Sequence, residues 1–172
     1  MTVNPFAWSF RVQFVFGLAT CAALLLYAIY AQYDQFADPC PLCILQRVAF
    51  FGMGIVALIG ALHNPKSPRG RKIYGVLAFL AAAIGAGIAA RHVWLQHLPP
   101  DQVPACGPGL NYMLETMQSK FDFVKVLAKV LKGSGECAEI NWTFLGFSMP
   151  EWTLLCFVLL GIGALAAGFR KR

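Results

Sequence analysis

Cys40-Pro41-Leu42-Cys43-Ile44-Leu45-Gln46-Arg47 opens an apolar run that carries no further charge as far as Leu62. Wound as a helix, the run from Cys43 to Leu62 is long enough to cross about 30 Å of hydrocarbon. The two cysteines at its mouth have the spacing that closes a small, easily reopened disulfide ring. A thiolate at a helix N-terminus faces unpaired N–H groups and the positive end of the macrodipole. Pro41 suits the first helical turn, because the N–H it lacks would have been unpaired there. Arg47 follows Cys43 by four residues and so shares its helix face. A thiol pair, a cation and the bilayer edge meet at one place, which points to electrons passing between a protein thiol and an acceptor dissolved in lipid.

Three more stretches have the same character: Val12 to Tyr30, Ile73 to Ala90 and Trp152 to Phe169. The expected fold is an all-α integral membrane protein, a four-helix transmembrane bundle forming a single membrane domain over residues 1–172. Each helix satisfies its own backbone polar groups, as hydrocarbon demands. The net charge of +6 invites a nucleic-acid reading, but its distribution argues against one. Arg11 precedes the first span, Lys66, Arg69, Arg71 and Lys72 crowd the link 63–72, and Arg170, Lys171 and Arg172 follow the last span. The acidic residues, from Asp34 and Asp38 to Glu151, fall in or beside the two other loops. By the positive-inside rule both termini and the 63–72 link are cytoplasmic, and loops 32–41 and 91–150 face outward. The apolar run of the first span continues past Cys21 to Ile29, which disfavours a cleaved signal peptide. Leu18-Ala19-Thr20-Cys21 loosely resembles a lipoprotein cleavage site, but it lies in mid-span.

Cys40, Cys43, Cys106 and Cys137 belong to the outward loops, where an oxidising compartment lets disulfides persist. Cys21 and Cys156 lie within spans and read as small apolar packing residues. Gly52, Gly54, Gly161, Gly163 and the run Ala81 to Gly87 read as small residues for close helix approach. In the large loop, Leu110, Met113, Leu114, Met117, Phe121, Val124, Leu127 and Leu131 recur at helical steps, with Lys125, Lys129 and Lys132 on another face. This predicts a short interfacial helical segment. A disulfide between Cys106 and Cys137 would close a loop of about thirty residues and restrict it by roughly 3–4 kcal/mol. That purely structural reading competes with exchange, for which cysteines flanked by proline and glycine beside a redox motif are well placed.

Asp38 to Arg47 resembles the first outward loop of the bacterial disulfide bond formation protein B family (DsbB). Pro104-Ala105-Cys106 matches that family's third cysteine in outline. Ser134-Gly135-Glu136-Cys137-Ala138-Glu139, Trp142-Thr143-Phe144-Leu145-Gly146 and Met149-Pro150-Glu151-Trp152 resemble the region around its fourth. With four spans and inward termini, the resemblance covers nearly the whole chain.

The resemblance implies a quinone-dependent protein-disulfide oxidoreductase of the bacterial inner membrane. The route from DsbA through DsbB to quinone is known to keep the bacterial periplasm oxidising. It implies that a reduced periplasmic DsbA-type thioredoxin-fold oxidase attacks a Cys106–Cys137 disulfide at Cys106. Exchange with Cys40–Cys43 then carries the electrons to the membrane edge, where Cys43 reduces ubiquinone or menaquinone. Arg47 would stabilise charge developing on the quinone ring. His92 and, one turn on, Gln96 would lie near the quinone. Read as isolated residues, Arg47 is a snorkelling cation and His92 a headgroup contact. Gln46 stands where some relatives carry an acid. No metal is expected. Structural zinc sites usually show two close-spaced cysteine pairs, whereas Cys106 and Cys137 stand alone. A vitamin K epoxide reductase-like protein would place its quinone-facing C-x-x-C late in the chain, not at the second span. A purely structural protein with two disulfides is the remaining alternative.

Overall fold

The computed structural model describes residues 8–34, 39–99, 101–103, 127–128, 130–133, 135–140 and 142–170. Four long helices occupy the four expected spans: α1 (Phe10–Asp34), α2 (Pro41–His63), α3 (Pro68–Gln96) and α4 (Met149–Phe169). Each is long and apolar enough to cross a membrane. Their starts are written locally. Cys40, Ser67 and Ser148 hold the N-cap positions, each followed by a proline within the first turn. The helix α2 ends where Asn64 turns to φ 39° and its N–H bonds back to the Gly60 carbonyl at 3.0 Å. This left-handed exit is one that Asn tolerates better than most residues.

Helices α3 and α4 share the most extensive packing, with α2 set against both α1 and α3. The α3–α4 seam is close because it is made of glycine. A Cβ on Gly75 would lie 2.9 Å from the Ala164 carbonyl oxygen and from the Gly168 Cα, and a Cβ on Gly168 would meet the Arg71 carbonyl at 3.0 Å. Higher in the seam the Phe157 ring lies directly over Gly85 and stacks on Phe50 of α2 with centroids 3.9 Å apart. Without a hydrophobic drive between helices in lipid, this backbone-level fit is what associates them. Large apolar side chains such as Leu26, Leu62 and Ile84 face outward instead, the reverse of a soluble bundle.

The small residues divide more sharply than their sequence suggests. Gly54 faces Cys21 and Gly161 faces the Ala82 Cβ, but Gly52, Gly87 and Gly163 have open space where a side chain would go. Cys21 is buried in the bundle core, as expected of a small apolar residue.

The segment before α4 holds a two-stranded antiparallel hairpin that the all-helical expectation missed. Strand β1 (Thr143–Phe144) pairs with β2 (Phe147–Ser148). Its turn residues Leu145 (φ 53°) and Gly146 (φ 83°) are both left-handed, as a tight two-residue hairpin turn requires. Residues 127–128 and 130–132, the end of the expected interfacial helix, are helical. Gly133, with φ 83° and Leu95 packed against its Cα, then leads to a short 3-10 turn at Gly135–Cys137. Cys106 and the rest of the interfacial segment lie outside the described residues.

Candidate functional site

The start of α2 builds the centre of the site. Cys40 is itself the helix cap: its Sγ accepts a hydrogen bond from the Cys43 backbone N–H at 3.3 Å. That bond folds Cys40 back over the first turn and leaves the two Sγ atoms 3.0 Å apart. A small side-chain rotation would close the S–S bond of about 2.05 Å.

The next side chain comes from α3. That helix runs beyond the expected Ala90 to Gln96, so His92 is a helical residue, packed inside the bundle end and 3 % exposed. Its ring is turned into the bundle rather than out to the surface. The His92 Nε2 lies 3.7 Å from the Cys40 Sγ and its Nδ1 lies 4.0 Å from the Cys43 Sγ. Gln46 Nε2 approaches the same Nδ1 at 3.1 Å, and the Gln46 Oε1 accepts from the Thr153 hydroxyl of α4 at 2.6 Å. Three helices thus join in one buried polar chain that ends on the two sulfurs. Buried polar groups have to be satisfied in this way or they cost stability.

Arg47 points away from this chain. It donates to the Gln32 Oε1 at 2.6 Å and to the Ala28 carbonyl at 3.0 Å, both on α1. Gln96 accepts from the Ser148 hydroxyl at 2.8 Å and so supports the cap of α4, where the Ser148 N–H also donates to the Glu151 Oε2 at 2.6 Å. Cys137 is fully buried and clusters with Cys40, Leu42 and Leu95, close to the dithiol. Arg91 ties the loop to α3: it donates to the Lys132 carbonyl at 3.0 Å and lies over the Trp94 ring.

The six described candidates are thus gathered at one end of the bundle, with Cys137 packed beside Cys40 and the other five around one cavity. Cys40, Cys43, Arg47, His92 and Gln96 line one cavity of about 510 Å³. Phe50, Tyr27, Trp142, Phe144 and Trp152 supply its apolar wall, with Gln46 and Thr153 beside the imidazole. Its size and its few convergent polar groups suit a flat apolar ligand. Gln46 and Thr153 were not singled out as site residues from the sequence. Gln46 lies three residues after Cys43, on the same helix face, which is a usable signal. Thr153 has no signal of its own, because its place depends on how α4 docks.

Four membrane-length helices that gather a dithiol, an imidazole and a cation around an apolar cavity define a helical membrane protein with a cysteine pair at one end of the bundle. Comparison with known proteins narrows this class. The sequence pattern of the family described as disulfide bond formation protein DsbB matches residues 10–167. Proteins called "Disulfide bond formation protein B" are similar along nearly the whole chain. The one from Xanthomonas axonopodis pv. citri is 52 % identical over 170 residues, covering 99 % of this chain and 96 % of its own. The one from Nitrosococcus oceani is 53 % identical over 154 residues, covering 90 % and 88 %. The one from Acinetobacter baylyi is 52 % identical over 155 residues, covering 89 % and 87 %. The chain belongs to the DsbB family of disulfide bond formation proteins.

Proposed function

We propose that this chain, a single membrane domain of the bacterial inner membrane, reoxidises a periplasmic DsbA-type thiol oxidase and passes the electrons to ubiquinone or menaquinone. The observation that carries the reading is the placement of the Cys40–Cys43 pair on the wall of the aromatic-lined cavity. The charge asymmetry of the loops supports inward termini and outward cysteines.

The partner's two thiols give up two electrons and two protons and become a disulfide. In exchange the Cys106–Cys137 disulfide is reduced, and exchange between the pairs then leaves Cys40 and Cys43 as thiols. Reforming the Cys40–Cys43 bond releases two electrons and two protons; the quinone supplies the acceptor for both and leaves as quinol. Cys43 is the donor to the quinone, and Cys40 closes the ring from its cap position. His92, within 4.0 Å of both sulfurs, is placed to hold or pass a proton released there. Arg47, fixed to α1 by two hydrogen bonds, presents a positive charge to the cavity at the bilayer edge, where exclusion of water strengthens it. Gln96, in the last turn of α3, lines the same cavity and would border a quinone bound there. The aromatic wall of Tyr27, Phe50, Trp142, Phe144 and Trp152 would hold the quinone and exclude water.

The test is quinone reduction by purified protein in detergent, driven by a reduced thioredoxin-fold oxidase and followed by quinone absorbance. The native chain turns over and Cys43→Ser does not. A native chain inactive with every quinone tried would overturn the reading.

A further inference from the structure

The imidazole sits where a metal ligand would. The Cys40 Sγ, the Cys43 Sγ and a ring nitrogen of His92 lie within 4.8 Å of one another, drawn from two helices onto one side of the cavity. An ion bound tetrahedrally by sulfur at about 2.3 Å and nitrogen at about 2.0–2.1 Å holds its S and N ligands roughly 3.6 Å apart. The Cys40 Sγ to His92 Nε2 separation is 3.7 Å. The sulfurs, 3.0 Å apart, would have to part by under about 1 Å to reach the roughly 3.8 Å of a bound pair.

We infer that the reduced Cys40–Cys43 pair and His92 form a site for a thiophilic divalent cation, zinc in the first instance, that competes with the Cys40–Cys43 disulfide. Binding breaks two S–H bonds, forms two metal–thiolate bonds and one metal–imidazole bond, and releases two protons; no electrons move. The complex of two thiolates with a divalent ion is neutral, which suits a half-buried site. The cavity leaves a fourth position for a water molecule or a small ligand, as in open zinc sites.

The surroundings complete the case. A metal-bound imidazole normally donates its other N–H to a fixed acceptor. With Nε2 on the ion, Nδ1 carries the proton, and the Gln46 amide 3.1 Å away can present its oxygen by rotating half a turn. The Gln46 NH₂ then donates to the Thr153 Oγ1, whose own proton goes to the Pro150 carbonyl at 2.9 Å. The Gln46 amide and the Thr153 hydroxyl both stay satisfied. Arg47 is the charged side chain facing the same cavity from α2, and its guanidinium is held toward α1. Glu136 and Glu139 also line the cavity and add negative potential.

The disulfide and the ion use the same two sulfurs, so each excludes the other. Under the proposed function, zinc would arrest turnover with the pair reduced; binding itself does not depend on that reading.

The experiment uses the full chain carrying Cys106→Ala, which removes one member of the other outward pair. It is prepared in detergent with Cys40 and Cys43 either reduced or joined. Cadmium ion alone is titrated, thiolate-to-metal absorbance is followed, and zinc is added in competition. The expected result is one ion per reduced chain with two protons released, displaced by zinc, and affinity at least about 100-fold weaker in the disulfide form. His92→Ala weakens binding by roughly 10–100-fold, as loss of a positioned ligand would, while Cys21→Ala leaves it unchanged. Equal binding by reduced and oxidised chains overturns the inference, and that comparison needs no change at the site. Native affinity in His92→Ala overturns it as well. Cation binding that persists in a native chain with no quinone turnover would sink the proposed function and leave the cation site standing.

Discussion

The Gln46 Nε2 of α2 meets the His92 Nδ1 of α3 at 3.1 Å, while the other end of the same amide takes a hydrogen bond from Thr153 of α4. Gln46 is 4 % exposed, so water cannot replace either contact. Gln46→Leu leaves the His92 Nδ1 without its amide partner, while the Thr153 hydroxyl keeps the Pro150 carbonyl at 2.9 Å. An unsatisfied buried group costs about 1–3 kcal/mol. The variant is expected to unfold at lower temperature in detergent and to reduce quinone more slowly at saturating quinone, because His92 loses its fixed orientation beside the sulfurs. Native turnover in a destabilised Gln46→Leu chain would show that the amide serves packing alone.

The Gly75–Gly168 contact makes a sharper stability prediction. A methyl group at Gly75 meets the Ala164 carbonyl oxygen and the Gly168 Cα, each at 2.9 Å, and backbone atoms cannot turn aside as a side chain can. Gly75→Ala should force α3 and α4 apart and cost about 1–3 kcal/mol, the usual range for overpacking. Gly87→Ala enters open space on the same helix and should be neutral or slightly stabilising, since alanine favours helix. Thermal unfolding of the two variants side by side checks this, and equal loss in both would show that the seam is not what associates the helices.

Arg47 is held by Gln32, and that pairing predicts a graded response. Arg47→Ala removes the positive charge from the cavity wall and is expected to raise the KM for quinone by about tenfold or more, the effect of losing roughly 1.4 kcal/mol of binding. Gln32→Ala leaves the charge present but removes its 2.6 Å acceptor, so the increase should be smaller. Arg47→Lys keeps a charge but cannot reach the Gln32 Oε1 and the Ala28 carbonyl together with one planar fork, and it should fall between the two. Steady-state kinetics with varied quinone orders the three; an Arg47→Ala chain with native KM would remove Arg47 from the site.

Much of this was legible in the sequence for physical reasons. Hydrocarbon forces every backbone group into a helix, so the four spans follow from length and apolarity. Pro41 in the first turn followed from its missing N–H. The helix ends were less legible, because α3 continues to Gln96 through Arg91 and His92, where hydropathy falls but helical geometry does not. That extension is what buries His92 against the sulfurs. The Thr143–Ser148 hairpin was hidden because its strands are two residues long and only Leu145-Gly146 signals the turn. Which glycines make contact was not readable either: Gly75 and Gly87 look alike in sequence, and only the rotation of α3 against α4 separates them.

Gln96 carries the last prediction, because the cavity and the helix cap make different demands on it. It lines the cavity, yet its Oε1 accepts from the Ser148 hydroxyl at 2.8 Å. Ser148 caps α4, and Glu151 three residues on bonds its backbone N–H at 2.6 Å, a capping box written in the sequence as Ser148-Met149-Pro150-Glu151. If the cap is the main role of Gln96, Ser148→Ala and Gln96→Ala should each lower stability by about 1 kcal/mol. The double variant should then lose less than the sum, with a coupling of roughly 0.5–1.5 kcal/mol. Since α4 also carries Thr153 to Gln46, a frayed first turn would loosen the imidazole chain, so both single variants should slow quinone reduction alike. A rise in quinone KM in Gln96→Ala that Ser148→Ala does not share would instead assign Gln96 a direct contact with the quinone. The double-variant cycle on unfolding, run beside quinone kinetics on the same three proteins, separates the two roles.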